Sequence, residues 1–355
     1  MTSTYRSPPL HDPLRYNIWI PASDGSRLAA WFCPAQVSGS LSGRKRPVVV
    51  CAGGLGVIKE MRLPAYISAF SSAAYHCVAF DYRCFGESTG RPRQLLDFES
   101  QQADWKSVIE WVVVNGQSEG ARGGPEGSKD SVTVAPSALA GDSLPNLSDL
   151  IDPTQIALFG TSFGGGHVIK LSSQLPALGL PVKCSISQCP FTDGYASSKT
   201  VKSIYAKLYL GIWGATDKVS AVVRGKDAPP ITIPLAAKDG QPALMNAPDV
   251  YANYISQLPA SIKDNFVNAV SARTALSIPF LVPGSYAASV QIPILYAICG
   301  QDSVAPAQTT KKYAQKSARG EIAWFEEEGH FDLYQGQGLE RATRRYVQFL
   351  QAHLK

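Results

Sequence analysis

The sequence has no apolar run long enough to span a membrane and no strong excess of charge. None of its apolar stretches reaches the roughly 18 residues that a membrane helix needs. It contains 33 lysines and arginines against 28 aspartates and glutamates, so the formal net charge is only +5. These charges are dispersed, which argues against a nucleic-acid or anionic-membrane partner. We therefore expect neither a membrane span nor binding to nucleic acid.

Patterns for metals, disulfides and secretion are also missing. The seven cysteines include no CxxC pair, and cysteines and histidines are scattered without the spacing of metal ligands. An odd number of cysteines suits a reducing compartment. The opening stretch MTSTYRSPPLHDPLRY lacks the apolar core of a secretory signal. We expect a cytoplasmic protein that needs no metal or cofactor, and the sequence leaves its oligomeric state open.

Short apolar segments of strand length alternate with helical patterns along the chain. The first two segments flank Asp24-Gly25, which is a strong hairpin signal. The later segments are almost continuously apolar, as in parallel strands that are buried on both faces. The predicted strands are 16–20, 27–33, 47–52, 76–81, 155–160, 183–188, 292–299 and 321–325. The predicted helices are 61–72, 98–114, 165–174, 305–317 and 339–353. The pattern predicts an α/β fold with a mostly parallel sheet, an N-terminal hairpin and helices on both faces.

Two segments interrupt this alternation. Residues 115–150 are rich in Gly, Ser, Pro and Ala, which predicts a disordered surface insertion. Residues 194–290 are too long for a crossover between two strands. They contain two amphipathic stretches, 197–210 and 247–258, and a piece, APPITIPL, that could form a small hairpin. We interpret 194–290 as a cap over the carboxyl edge of the sheet, where open α/β sheets bind ligands. The core domain would then comprise 1–193 and 291–355.

The pentapeptide Gly160-Thr161-Ser162-Phe163-Gly164 matches the G-x-S-x-G pattern of a nucleophile elbow. It follows the strand-like IALFG and precedes a helical pattern, which is the context that such a strained strand-to-helix turn requires. The alternative is a tight glycine turn that happens to contain a serine. The flanking elements favour Ser162 as a nucleophile.

A serine hydroxyl needs a base, and the chain has only five histidines. His11 and His353 lie near the termini, and His76 begins a strand at the opposite edge of the sheet. His167 lies five residues beyond Ser162, where it would point into the scaffold. Only His330, in the loop between a strand and the last helix, is positioned as a general base.

The imidazole in turn needs a carboxylate to orient it. Asp302 follows the strand ILYAICG and faces the same edge, and the order Ser162, Asp302, His330 is the one expected for such an elbow. Asp193 follows another strand at the same edge and is the competing candidate. Asp332 is too close to His330 in sequence to orient it well.

An oxyanion hole needs two converging N–H donors. The sequence offers the amide of Phe163, directly after the nucleophile, and a second amide in the loop Gly53-Gly54-Leu55-Gly56, for which Leu55 is the prime candidate. This loop superficially resembles a nucleotide-binding turn. However, GGLG does not match GxGxxG, and no acidic ribose partner follows at the expected distance.

Five segments together carry a family resemblance: VVVCAGGLGVIKE, FDYRCFGESTGRPR, IALFGTSFGGG, CGQDSVAP and EEGHFDLY. They resemble α/β-hydrolases of the fungal polyketide transferase type, a group that includes hydrolases of toxin clusters. The match spans nearly the whole chain except 115–150. DYRCFGES also resembles the Xaa-Pro dipeptidyl-peptidase and acyl-esterase branch, in which this loop shapes the region beside the oxyanion hole. Gly53 departs from the histidine that many relatives have at this place.

The resemblance implies acyl transfer or hydrolysis of an ester, thioester or lactone in secondary metabolism. The substrate would be a small acyl compound, or a polyketide bound to a carrier. A peptidase or amidase shares the same triad and stays open as an alternative. A catalytically dead binding protein is a third hypothesis, although such proteins usually lose a triad residue.

Overall fold

The computed structural model describes residues 15–36, 44–117 and 144–354. Within them the strands are β1 (Tyr16–Pro21), β2 (Arg27–Cys33), β3 (Arg46–Ala52), β4 (His76–Phe80), β5 (Ile151–Thr161), β6 (Val182–Gln188), β7 (Thr232–Pro234), β8 (Ala269–Ser271), β9 (Ile294–Cys299) and β10 (Gly320–Phe325). The α-helices are α1 (Leu63–Ser72), α2 (Phe98–Gly116), α3 (Leu147–Leu150), α4 (Phe163–Leu178), α5 (Gly194–Ser198), α6 (Ile204–Arg224), α7 (Val250–Ser256), α8 (Thr274–Ser277), α9 (Ala307–Ala314) and α10 (Gly336–His353).

Eight of these strands form one sheet, in the order β1-β2-β4-β3-β5-β6-β9-β10. β1 and β2 form an antiparallel hairpin, and β2 pairs antiparallel with β4. All the other neighbours in this sheet are parallel. The predicted mostly parallel sheet with an N-terminal hairpin is therefore confirmed, with strand boundaries shifted by a few residues.

The side chains of β3 show why the core strands are almost continuously apolar. Val48 and Val50 point to one face, where they join a cluster that includes residues of α2 and α4. Val49 and Cys51 point to the other face, where they pack with residues of α1 and α10. Successive side chains of a strand alternate between faces, so a strand covered by helices on both sides must be apolar throughout. This arrangement confirms the predicted helices on both faces.

The prediction of a disordered insertion over 115–150 is wrong at both described ends. Helix α2 continues through Gly116, and Asn146 caps the short helix α3 by accepting a hydrogen bond from the Ser148 amide. Leu147 and Leu150 are buried in the core because they pack beneath the start of β5. Residues 118–143 lie outside the described residues.

The segment between β6 and β9 carries helices α5 to α8 and a second, two-stranded sheet. The proposed hairpin in APPITIPL is wrong, because β7 from this piece pairs instead with β8, more than 30 residues further along the chain. The amphipathic stretch predicted to begin at Ser197 divides into α5 and the longer α6. The interpretation of 194–290 as a cap stays a prediction. In the described ranges, no helix is long and apolar enough to cross a membrane.

Candidate active site

Ser162 lies at the turn between β5 and α4, where the backbone adopts an unusual conformation. Its φ is 53° and its ψ is −115°, and its side chain does not cap the helix that follows. The glycines around it are required by close packing. A Cβ on Gly160 would lie 2.3 Å from the Gly164 carbonyl oxygen, and a Cβ on Gly164 would lie 2.4 Å from the Gly53 oxygen. The G-x-S-x-G pattern therefore follows from steric limits on a sharp turn.

The structure brings the three predicted triad residues together in one hydrogen-bonded series. The Nε2 atom of His330 lies 3.1 Å from Ser162 Oγ, and its Nδ1 atom lies 2.8 Å from Asp302 Oδ2. His330 and Ser162 are both buried, so little water competes for these bonds. With Nδ1–H donating to the carboxylate, Nε2 is left as an acceptor for the serine proton, as general base chemistry needs.

The Asp302 carboxylate is itself fixed by backbone amides. Its Oδ1 atom accepts hydrogen bonds from Val304 N at 2.8 Å and from Ala305 N at 2.6 Å. Both amides lie in the loop after β9. Because they occupy Oδ1, the other oxygen, Oδ2, is directed at the imidazole. Two fixed donors on one oxygen hold the other in place for His330.

The competing carboxylates have other partners. Asp193 caps α5 by accepting a hydrogen bond from Ala196 N, and its second oxygen accepts one from the Tyr313 hydroxyl. Asp332 accepts a hydrogen bond from Gly329 N, in the loop that carries His330. Within the described part of the chain, neither carboxylate hydrogen bonds to the imidazole of His330, so the geometry favours Asp302.

The other histidines have structural partners. His76 accepts a hydrogen bond from Ala35 N at Nδ1 and donates from Nε2 to the Leu150 carbonyl, and burial lowers its pKa to about 4. His167 stacks on Phe98 and hydrogen bonds with the side chains of two glutamines, Gln101 and Gln102. Burial likewise lowers the pKa of His167. His353 lies beside Glu321, and His11 lies outside the described residues.

The two predicted oxyanion donors flank Ser162. Phe163 is the first residue of α4. Its amide therefore has no helical carbonyl one turn earlier to which it could donate a hydrogen bond. Within the described ranges, neither this amide nor that of Leu55 donates to a protein acceptor. A Cβ on Gly54 would lie 2.8 Å from Ser162 Cβ and 3.3 Å from its Oγ, so this loop passes directly over the serine. Both amides are thus free to serve an oxyanion.

Replacing Gly54 with alanine should therefore damage catalysis more than folding. The added methyl group would push the loop and its Leu55 amide away from the serine, and loss of one oxyanion donor costs about 100-fold to 1,000-fold in kcat. Steady-state kinetics on an ester substrate would measure this loss. Gly211→Ala is the matched control, since a Cβ there meets nothing within 4 Å. Equal kcat values for the two variants would contradict the assignment of this loop.

A cavity of about 460 Å³ opens beside Ser162 and is lined mostly by apolar side chains. Residues of the 194–290 segment form much of its wall, together with Leu55 and Phe163. The charged residues that line it are Lys199 and Lys207, and no aspartate or glutamate of the described chain lines it. The cavity suits a neutral or anionic apolar group and offers no carboxylate for an ammonium group.

Sequence reasoning missed a buried ion cluster behind the Leu55 loop. The Lys59 ammonium lies 2.8 Å from Asp81, 2.7 Å from Glu87 and 3.2 Å from Glu60. Burial alone would lower the pKa of Lys59, but these carboxylates outweigh it and raise the pKa. The cluster joins the loop after β3 to the DYRCFGES loop, so it fixes the backbone from which Leu55 projects. Asp81 belongs to the DYRCFGES segment that carries part of the family resemblance, whereas no sequence pattern around Lys59 indicated that its side chain takes part in a buried ion cluster.

Two further side chains near the site were also missed. Tyr254 of α7 donates a hydrogen bond from its hydroxyl to the Leu55 carbonyl at 3.0 Å, which links the 194–290 segment to the same loop. Cys189 lies behind the triad, with its Sγ within 4.8 Å of donor atoms of Asp302 and His330. Both imidazole nitrogens of His330 already have hydrogen-bond partners, Ser162 and Asp302, and Cys189 Sγ lies 3.3 Å from Cys299 Sγ. The Cys189 thiol therefore lies beside the hydrogen-bonded series.

Comparisons with known proteins agree with this fold. A family model described as the alpha/beta hydrolase family matches residues 48–342. The quorum-quenching protein AidA of Acinetobacter baumannii is 37% identical over 86% of both chains. The thiohydrolase aneE of Aspergillus aculeatus is 23% identical over 86% of this chain and 85% of its own. The crystal structure of the alpha/beta hydrolase GrgF from Penicillium superposes with a TM-score of 0.68 at 18% identity, covering 96% of this chain and 99% of GrgF.

Proposed function

The chain belongs to the alpha/beta hydrolase family, and we propose that it is a serine hydrolase acting on the carbonyl of an ester or lactone. The observation that carries this proposal is the series from Ser162 through His330 to Asp302 at the floor of an apolar cavity. In the reaction, His330 Nε2 takes the proton of Ser162 Oγ as this oxygen attacks the carbonyl carbon. Asp302 stabilises the imidazolium that forms.

The Leu55 and Phe163 amides would hold the negative oxygen of the tetrahedral intermediate. Collapse of this intermediate breaks the bond to the leaving alkoxide, which takes the proton from His330 and departs as an alcohol. With a lactone, this alcohol stays attached to the acyl chain. Water then attacks the acyl-enzyme with His330 again as the base, and Ser162 is released with the acid product.

The cavity lining supports an apolar acyl substrate and weighs against the peptidase alternative. An aminopeptidase needs an acidic group for the substrate ammonium, whereas the charged residues of this lining are lysines. The relative named as a quorum-quenching protein supports a small acylated signal, opened or cleaved at its ester bond, as the substrate. Transfer of a polyketide acyl group to an alcohol is the second candidate, since fungal relatives at 21–24% identity include thiohydrolases and polyketide transferases.

A panel of substrates tests this proposal. We expect turnover of p-nitrophenyl octanoate and N-octanoyl homoserine lactone, with kcat/KM for the octanoyl ester at least about tenfold above that for the acetyl ester, because each buried CH₂ contributes about 0.8 kcal/mol. A fluorophosphonate should label the protein once and stop both reactions. Alanyl-prolyl p-nitroanilide is the comparison substrate. Turnover of the anilide alone, or full ester hydrolysis after labelling, would contradict the proposal.

A further inference from the structure

Helix α6 carries eight of its apolar residues on a side that faces solvent. Its buried residues are Ala206, Gly214 and Asp217, which lie on one side of the helix. Positions 204, 205, 208, 212, 215, 219, 222 and 223 are apolar and exposed, and we name them the apolar stripe. At about 100° per residue they fall within an arc of roughly 100°, approximately opposite the buried side. Val222 is 81% exposed and Val223 is 77% exposed.

Such a stripe is unusual for a helix on the surface of a monomer. A surface helix normally directs its apolar residues inward and its charged residues to water. The exposed side chains of the apolar stripe present on the order of 800 Å², about the area that each partner contributes to a standard protein interface. This exceeds the few hundred Å² of apolar patches on most monomers. The stripe therefore has the size and composition of an interface.

The spacing of the apolar positions in the stripe is the same whether the helix is read from its N-terminus or from its C-terminus. Its members form four pairs, each with a midpoint between Trp213 and Gly214. The pairs are Ile204 with Val223, Tyr205 with Val222, Leu208 with Val219, and Ile212 with Ala215. A twofold axis through this midpoint, perpendicular to the helix, would superpose apolar positions on apolar positions. An isologous dimer requires this kind of self-complementary surface.

We propose that the apolar stripe is the interface of a homodimer, in which the α6 helices of two copies pack antiparallel. In this register Leu208 of one copy lies at the height of Val219 of the other, close to the centre of the stripe. The small side chain of Ala215 near the midpoint allows the two helices to approach closely. Because Lys207, Leu210 and Gly211 of the same helix line the cavity beside Ser162, the interface supports one wall of that cavity.

The charges at the edge of the stripe make it possible to distinguish a dimer interface from a membrane-binding surface. Lys207 and Lys218 border the same edge, and the arc itself contains no charged residue. Contact with an anionic lipid surface would use these lysines and would weaken in salt. An interface made of the stripe itself depends on apolar burial, which salt does not weaken.

Sedimentation velocity of the full chain tests the proposal. We expect a dimer at micromolar concentration that added NaCl does not weaken. Leu208→Glu and Val219→Lys should each weaken association at least about 100-fold, because each would bury an unpaired charge at two symmetric places. Val267→Glu is the matched control, since Val267 is an exposed apolar residue outside α6, and this variant should remain dimeric. Circular dichroism would establish that each variant is folded.

Mixing the two variants tests the register. The introduced carboxylate of one copy would then face the introduced ammonium of the other, so a mixed dimer should form at concentrations where each variant alone is monomeric. A monomeric wild-type protein, a Leu208→Glu variant that still dimerises, or a mixture that stays monomeric would each overturn the proposal. So would a wild-type monomer that sediments with vesicles of phosphatidylcholine and phosphatidylglycerol, which would assign the stripe to a membrane surface.

Discussion

Replacing Ser162 with alanine should lower kcat for ester hydrolysis by about four to six orders of magnitude while leaving the fold intact. Losses of this size are expected when a triad nucleophile is removed, because the residual rate comes only from binding and the oxyanion hole. Folding should survive because the Ser162 side chain does not cap α4. The backbone at position 162 has a positive φ, which is unfavourable for alanine and serine alike, so the substitution adds no backbone strain.

Three measurements on Ser162→Ala would establish the assignment. The variant should keep the wild-type melting temperature within a few degrees, should not react with a fluorophosphonate, and should retain substrate binding. Ser198→Ala is the matched control, since Ser198 also lines the cavity but its hydroxyl donates to the Tyr195 carbonyl. We expect this control to keep kcat within about threefold of wild type. Residual activity of Ser162→Ala within about tenfold of wild type would contradict the role of Ser162.

The positions of the triad residues could be predicted from the sequence because local signals and elimination agree. The nucleophile elbow is a short-range pattern. Its glycines are required because a Cβ would clash with backbone atoms of the same turn or of one neighbouring loop. His330 followed from the scarcity of histidines, and Asp302 from the end of a recognisable strand. Each strand end could be placed at one edge because parallel strands share their direction.

The features that the sequence did not reveal depend on contacts between distant segments. A lysine in a loop is expected to have a solvated side chain. Only the fold shows that Asp81 and Glu87 converge on Lys59. The β7–β8 pairing joins segments more than 30 residues apart, with no tight turn between them to mark it. Tyr254 reaches the Leu55 carbonyl from almost 200 residues away. Single-sequence patterns record local periodicity and therefore carry no signal for such pairs.

The apolar stripe of α6 shows a related limit. Periodicity in the sequence indicates that a helix has an apolar side, but it does not indicate which side faces the core. In α6 the buried residues are Ala206, Gly214 and the ion-paired Asp217, which bonds to Arg273, and the half-buried Tyr209 and Leu210 pack beside them. Two small residues and an acid would not be chosen as a buried side by hydrophobicity, so the orientation of this helix emerges only from its tertiary contacts.

Replacing Asp302 with asparagine should lower kcat by about 10,000-fold with little change in KM. The reason lies in the two backbone amides, of Val304 and Ala305, that donate to Asp302 Oδ1. An asparagine would keep its carbonyl oxygen toward these donors, so its NH₂ group would point at His330 Nδ1. That nitrogen would then have to accept, and the proton would move to Nε2, where it prevents the imidazole from accepting the Ser162 proton.

Steady-state kinetics of two aspartate variants would decide which carboxylate orients His330. Asp193→Asn is the matched control, because Asp193 caps α5 and accepts from the Tyr313 hydroxyl at the same edge of the sheet. We expect this control to raise KM by a small factor through displacement of α5, whose Tyr195 and Ser197 line the cavity, and to leave kcat nearly unchanged. The two variants should thus differ in kcat by three or more orders of magnitude. If Asp193→Asn lost its turnover while Asp302→Asn kept it, the acid of the triad would have to be assigned to the loop after β6.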